Sequence, residues 1–199
     1  MSLIAGNLSV AQRLLDNNEI FWGVCAGAAA HLYGDRRPIQ DIDILVVAGG
    51  LDKIVQLLQR EQKAVQFDGK RVLWRGIKFF DDLSVKRLGK NHPFVLDTPM
   101  YEHVRRMPLL GARVAVLSPE DVLIHKLLLG RGAEQGKHDL SDAAAIARRQ
   151  RFDMEYLEQR LLLSNAQAAI QPKLEEFGIL IGAGAQPDKP VATGTGLVS

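Results

Sequence analysis

Cysteine is nearly missing from this chain of 199 residues: Cys25 stands alone. No intrachain disulfide can form, which fits a reducing compartment. Aromatic residues are scarce at 6%, which argues against stacked-base platforms as the main business of the protein. No apolar run reaches the ~18 residues of a membrane span. The amino-terminal stretch MSLIAGNLSVAQRLLDNN lacks the basic segment and apolar block of a secretory leader. A soluble, cytoplasmic protein is the expectation. Charge of one sign is not in excess either. The formal net charge is +2, with small basic clusters at Arg36-Arg37, Arg105-Arg106 and Arg148-Arg149 with Arg151. Such scatter does not indicate a stripe for duplex binding. What the chain does have is apolar material, 47% of its residues. That is enough for the core of one large domain, or of one domain plus a small helical addition.

Hydrophobic spacing organises the chain. Leu8, Ala11, Leu14 and Leu15 mark a helix over 8–18, and Phe21 to Cys25 reads as a short strand. Gly27 opens a small-residue helix that stops at Gly34. Asp41 to Val47 is the next strand, and Leu51 to Gln62 an amphipathic helix. Strands are expected at 64–67, 71–75, 77–85, 94–96 and 113–117, with a helix over 97–106. Ser118-Pro119-Glu120-Asp121 then reads as a helix start, with a serine cap, proline at the first position and acids in the first turn. Further helices are expected from about 138 to 149 and from 154 to 169. This gives an α+β core over 1–117 and a C-terminal helical region over 118–172. A tail over 173–199, rich in glycine, proline and small residues, is expected to be largely disordered.

The run Asp41-Ile42-Asp43 carries the chemistry. Strand period places both carboxylates on one side while Ile42 and Ile44 anchor the other. Two carboxylates are what magnesium commonly takes from a protein beside phosphates and waters. An Asp-x-Asp on an edge strand can also be no more than a solvated face. Here the pair opens a very apolar run, and a turn and helix start lie upstream at Gly27, where free backbone N–H groups can meet a phosphate.

In order and spacing, Ala26-Gly27, Ala29, Gly34, Arg37 and Asp41-Ile42-Asp43 resemble the nucleotidyltransferase superfamily, the fold of the DNA polymerase beta catalytic domain and of small antibiotic nucleotidyltransferases. Downstream, Ser118-Pro119-Glu120-Asp121 with Lys126, followed by Lys137-His138-Asp139-Leu140-Ser141-Asp142, resembles the AbiEii-type toxin branch. The resemblance spans roughly residues 20–150. It implies a mixed sheet flanked by helices and transfer of a nucleoside monophosphate from a nucleoside triphosphate to a hydroxyl, with release of pyrophosphate. It also implies two magnesium ions held by Asp41 and Asp43, Gly27 near the phosphates, and Arg37 and Lys126 as phosphate-binding cations. A third catalytic carboxylate is expected from a neighbouring strand: Asp82 is the first choice, with Asp97 and Asp81 as rivals. The sequence departs from the family pattern in two places, Ala26 for the first glycine of the usual pair and Gln40 before the first aspartate.

Other polar residues have plainer readings. Lys126 is either a triphosphate contact or a lysine snorkelling from the edge of an apolar stripe. Arg37 can balance Asp35 or Asp41 instead of a phosphate. Asp142 is read as pairing with Lys126 or Arg131 to lock helices together. His31, His125 and His138 lack zinc spacing. GRGAEQGK is not a phosphate loop, because His138 follows Lys137 and no strand precedes it. Three functions follow: a nucleotidyltransferase with a small-molecule, protein or RNA-end acceptor; a catalytically degenerate nucleotide-binding protein; or a toxin–antitoxin component acting with a protein partner or as a homodimer.

Overall fold

The computed structural model describes residues 3–61 and 63–182. The chain begins with α1 (Leu3–Asn17), β1 (Trp22–Cys25), α2 (Ala26–Tyr33), β2 (Ile42–Val46) and α3 (Gly50–Arg60). It continues through β3 (Gln66–Phe67), β4 (Arg71–Trp74), β5 (Ile77–Phe80) and a small hairpin of β6 (Val85–Arg87) and β7 (Lys90–His92). Then come α4 (Thr98–Glu102), β8 (Arg105–Leu109) and β9 (Ala112–Val116). The remainder is helical: α5 (Pro119–Leu129), α6 (Asp139–Arg149), α7 (Met154–Leu163) and α8 (Gln167–Glu176).

Seven strands form one mixed sheet in the order β3-β4-β5-β2-β1-β9-β8. The central strands β1 and β2 are antiparallel, with Cys25 beside Asp43. β2 runs parallel to β5, where Asp43 pairs with Lys78 and Leu45 with Phe80. β1 runs parallel to β9. Ile42, Ile44, Leu45 and Val46 are all buried, as a central strand covered on both faces requires. Asp43 is the one residue of β2 that is not fully buried.

The helices close over this sheet. α2 packs on β1, β2, α5 and α6, while α1 meets β5 and β9, and α3 meets β4. The Tyr33 hydroxyl donates to the Leu117 carbonyl at 2.7 Å and ties α2 to the start of the helical region. The core is continuous across residue 117: Val24, Ile44 and Val116 share one apolar cluster with Leu123, Leu157 and Leu174. A serine caps α5 as the sequence implies, Ser118 Oγ accepting from Asp121 N at 3.1 Å.

Some elements differ from the sequence reading. The strand expected over 77–85 ends at Phe80, and the chain turns before β6. Residues 94–96 form no strand. The helix expected over 97–106 is the short α4, because the chain must reach the edge strand β8. The helix expected over 154–169 breaks at Ser164–Ala166, with Asn165 in the left-handed region at φ 52°. α8 runs past residue 172 to Glu176, and Ile179 joins the core. The rest of the expected tail, 183–199, lies outside the described residues.

Candidate functional site

A cleft of about 930 Å³ opens where β1 ends, β2 begins and α2 starts. Five of the sequence-derived candidates, Gly27, Arg37, Asp41, Asp43 and Lys126, line it together with Asp82. β2 and β5 supply its floor and α2 one wall, while α5, α6 and the loop before α6 supply another.

Gly27 stands in the first turn of α2. No heavy atom lies within 4 Å of where a Cβ would sit on it, so a phosphate can approach its backbone closely. Ala26 before it is in the left-handed region at φ 50°, a conformation that favours glycine. The residue that departs from the family pattern therefore still takes a glycine-like backbone. His31 Nδ1 faces the Arg37 carbonyl at 2.8 Å and pins the segment that leads from α2 into β2.

Asp41 and Asp43 reach the cleft from the start of β2, with side chains 44% and 20% exposed. The partner of both is a lysine. Lys78 Nζ hydrogen-bonds Asp41 and lies 3.9 Å from Asp43 Oδ1. Burial pushes the Asp43 carboxyl up to about 6, and the charge of Asp41 adds to this; Lys78 and Lys126 oppose it. Burial pulls Lys78 down, but its bond to Asp41 and the charges of Asp43 and Asp41 outweigh this and hold it above its ordinary value. Sequence reasoning missed Lys78. The available signal was a lysine between the apolar residues Ile77 and Phe79 of a strand, a position that calls for an anionic partner.

The acidic candidates for a third carboxylate separate. Asp82 lines the cleft but lies beyond the end of β5, and its Oδ1 accepts from the Ser84 amide at 2.7 Å. Asp81 accepts from the Gly49 amide at 3.2 Å. Asp97 caps α4, accepting from Met100 N at 2.9 Å, and pairs with Arg160 at 2.6 Å. Among the described residues no three acidic, histidine or cysteine side chains converge as a metal-binding group.

Arg37 and Lys126 are committed to neighbours. Arg37 pairs with Asp35 at 2.7 Å and with Asp142. Lys126, 6% exposed, sits 2.9 Å from Asp139 and 2.7 Å from Asp142. Arg131 adds a second contact to Asp139 at 2.6 Å. Burial pulls Lys126 down, yet its bonds to Asp142 and Asp139 outweigh that and keep it charged. This lattice joins α5 to α6 and to the segment before β2, the locking role read for Asp142. His125 stacks on Phe94 with centroids 4.5 Å apart. Burial, and then the Lys126 charge, push His125 down to about 4, so it is neutral at physiological pH.

No family model matches the chain, and no curated protein matches it significantly. Solved structures do. The antibiotic-resistance factor ANT(2'')-Ia aligns over 88% of this chain and 96% of its own, with a TM-score of 0.54 and 12% identity. Lincomycin-bound lincosamide antibiotic adenylyltransferase LnuA aligns over 71% and 96%, with a TM-score of 0.45 and 16% identity. An antigenic nucleotidyltransferase-like protein from Paracoccidioides brasiliensis aligns over 88% and 91%, with a TM-score of 0.45 and 20% identity. The chain has a nucleotidyltransferase-like fold, a mixed sheet flanked by helices. These likenesses concern the fold and do not bear on the AbiEii-type branch.

Proposed function

We propose that the cleft binds a nucleoside triphosphate and transfers its nucleoside monophosphate to a hydroxyl acceptor. One observation carries the reading: Asp41 and Asp43 converge with the open backbone at Gly27 in a single cleft on this fold. Backbone N–H groups in the first turn of α2 meet the phosphates. Lys78 supplies positive charge beside the reacting phosphorus. The acceptor oxygen attacks the α-phosphorus, the bond to pyrophosphate breaks, and the hydroxyl proton leaves to solvent water in the open cleft.

The donor set fits one magnesium ion better than the two that the family resemblance implies. Asp41 and Asp43 are hard oxygen ligands, but no third carboxylate joins them among the described residues. When bound, such an ion neutralises phosphate charge and favours ionisation of the acceptor. The acceptor remains a small molecule, a protein hydroxyl or an RNA end.

The test is incorporation of label from each α-labelled nucleoside triphosphate into acceptors of a cell extract, with pyrophosphate release measured in parallel. Asp41→Ala is expected to lower the rate by roughly a hundredfold or more, the scale of losing an electrostatic group of the transition state. No transfer with any triphosphate overturns the reading. A second reading, nucleotide binding without transfer, is favoured by β5 presenting Lys78 and Phe80 to the cleft instead of an acid. Retained binding of a fluorescent nucleoside triphosphate with no transfer selects it.

A further inference from the structure

We infer that Lys78 is the resident cation of the Asp41–Asp43 pair, so that the pair admits one divalent ion at most and holds it weakly. Strand register sets the geometry. The parallel pairing of β2 with β5 sets Lys78 directly beside Asp43. Ile77 and Phe79 are buried, so strand alternation turns Lys78 and Phe80 toward the cleft. Those two positions are where a neighbouring strand has the chance to contribute an acid, and neither does.

The ammonium then fills the gap between the carboxylates. It hydrogen-bonds Asp41 and lies 3.9 Å from Asp43. One positive charge already neutralises half of the pair, and it is within ion-pair distance of both carboxylates that would hold a shared ion. A divalent ion entering must either displace the ammonium or sit against it, and both cost affinity. Of the other acids that line the cleft, Asp82 accepts from the Ser84 amide, Asp68 pairs with Arg71, and Asp139 and Asp142 pair with Lys126. With nucleotide present, part of the phosphate charge is met by a fixed protein cation instead of a second metal. The consequence for nucleotide rests on the cleft being the nucleotide site. The consequence for metal does not.

The experiment is a Mn²⁺ titration of the full chain followed by electron paramagnetic resonance, with Lys78→Met and Lys78→Gln beside the wild type. Melting curves establish that each variant is folded. The expected result is one weak Mn²⁺ at most in the wild type. Both variants should bind Mn²⁺ tighter by roughly tenfold or more, because a like charge has left the pair. Adding Asp43→Asn to Lys78→Met should abolish the gain. Two ions bound by the wild type and lost in Asp41→Asn, or equal affinity in the wild type and both lysine variants, overturns the inference. Binding of a fluorescent nucleoside triphosphate is read separately. Its absence overturns the nucleotide reading of the cleft, while the Mn²⁺ titration still decides the role of Lys78.

Discussion

Lys126 shows how a single side chain divides its allegiance. It borders the cleft, yet its ammonium is 2.9 Å from Asp139 and 2.7 Å from Asp142, both almost fully buried. A buried carboxylate without its cation is costly, and removing one partner of such a pair exposes that cost. Lys126→Met keeps the length and apolar stem while deleting the charge. The expected loss is about 3 kcal/mol of stability, tempered because Arg131 still faces Asp139 and Arg37 still faces Asp142. Urea unfolding measures it. An unchanged midpoint would return Lys126 to the pool of free phosphate-binding cations. Both Lys126 and Asp142 could be read from sequence because helical spacing presents charged residues against an apolar stripe. The signal at Lys78 was masked, since the strand expected over 77–85 kept residues 78, 80 and 82 in phase and made Asp82 the natural candidate. The observed strand stops at Phe80 and leaves Asp82 in the turn beyond it.

At the scale of elements, tight hairpins explain two differences from the sequence reading, the early end of the strand expected over 77–85 and the shortened helix before β8. Arg75-Gly76, Leu88-Gly89 and Leu110-Gly111 each join two antiparallel strands, and all six residues have positive φ. Two-residue turns of this kind match strand twist and favour asparagine or glycine at the first position. Arg75-Gly76 falls at the break between the strands expected over 71–75 and 77–85, whereas leucine at the other two turns disguises the signal. Without it, the β6–β7 hairpin was invisible and the start of β8 read as the end of a helix. Pro108 lies inside β8, which an edge strand tolerates. Leu88, at φ 50° and 88% exposed, makes no packing contribution that would justify its strain. Leu88→Asn is therefore expected to raise stability by about 0.5 to 1 kcal/mol, near the low end of the left-handed penalty for an ordinary residue. Thermal melting checks it, and a lower melting temperature would show that Leu88 is packed. By contrast, the helices from α1 to α3 and from α5 to α6 were legible, because amphipathic spacing, the Ser118 cap and the Gly34 and Gly130 stops all agree locally.

At the scale of the whole molecule, the cleft sets a half-buried acid and a buried histidine against each other over the same pH range. Asp43 is pushed up to about 6 from an ordinary 3.8, so the folded state binds its proton more readily than the unfolded chain does. Its contribution to stability therefore falls as pH rises from about 4 to 6. His125 is pushed down to about 4 from 6.5, so the unfolded chain binds that proton more readily. Its contribution is complete above the unfolded value and is lost as pH falls toward 4. Asp121, fully buried and raised to about 6, acts with the same sign as Asp43. The variants separate these terms. Asp43→Asn removes a falling contribution, so its stability should rise with pH relative to the wild type, by up to about 1.4 kcal/mol per pH unit within the window. Above pH 6 it should exceed the wild type by about 2 kcal/mol, the cost of holding a charged carboxylate in the cleft. His125→Gln should change the slope in the opposite direction. Urea midpoints at intervals from pH 4.5 to 7.5 measure both, and parallel profiles for all three proteins would refute the opposition. A stability gain from Asp43→Asn accompanied by loss of nucleotidyl transfer would mark Asp43 as a residue kept charged for function at the expense of the fold.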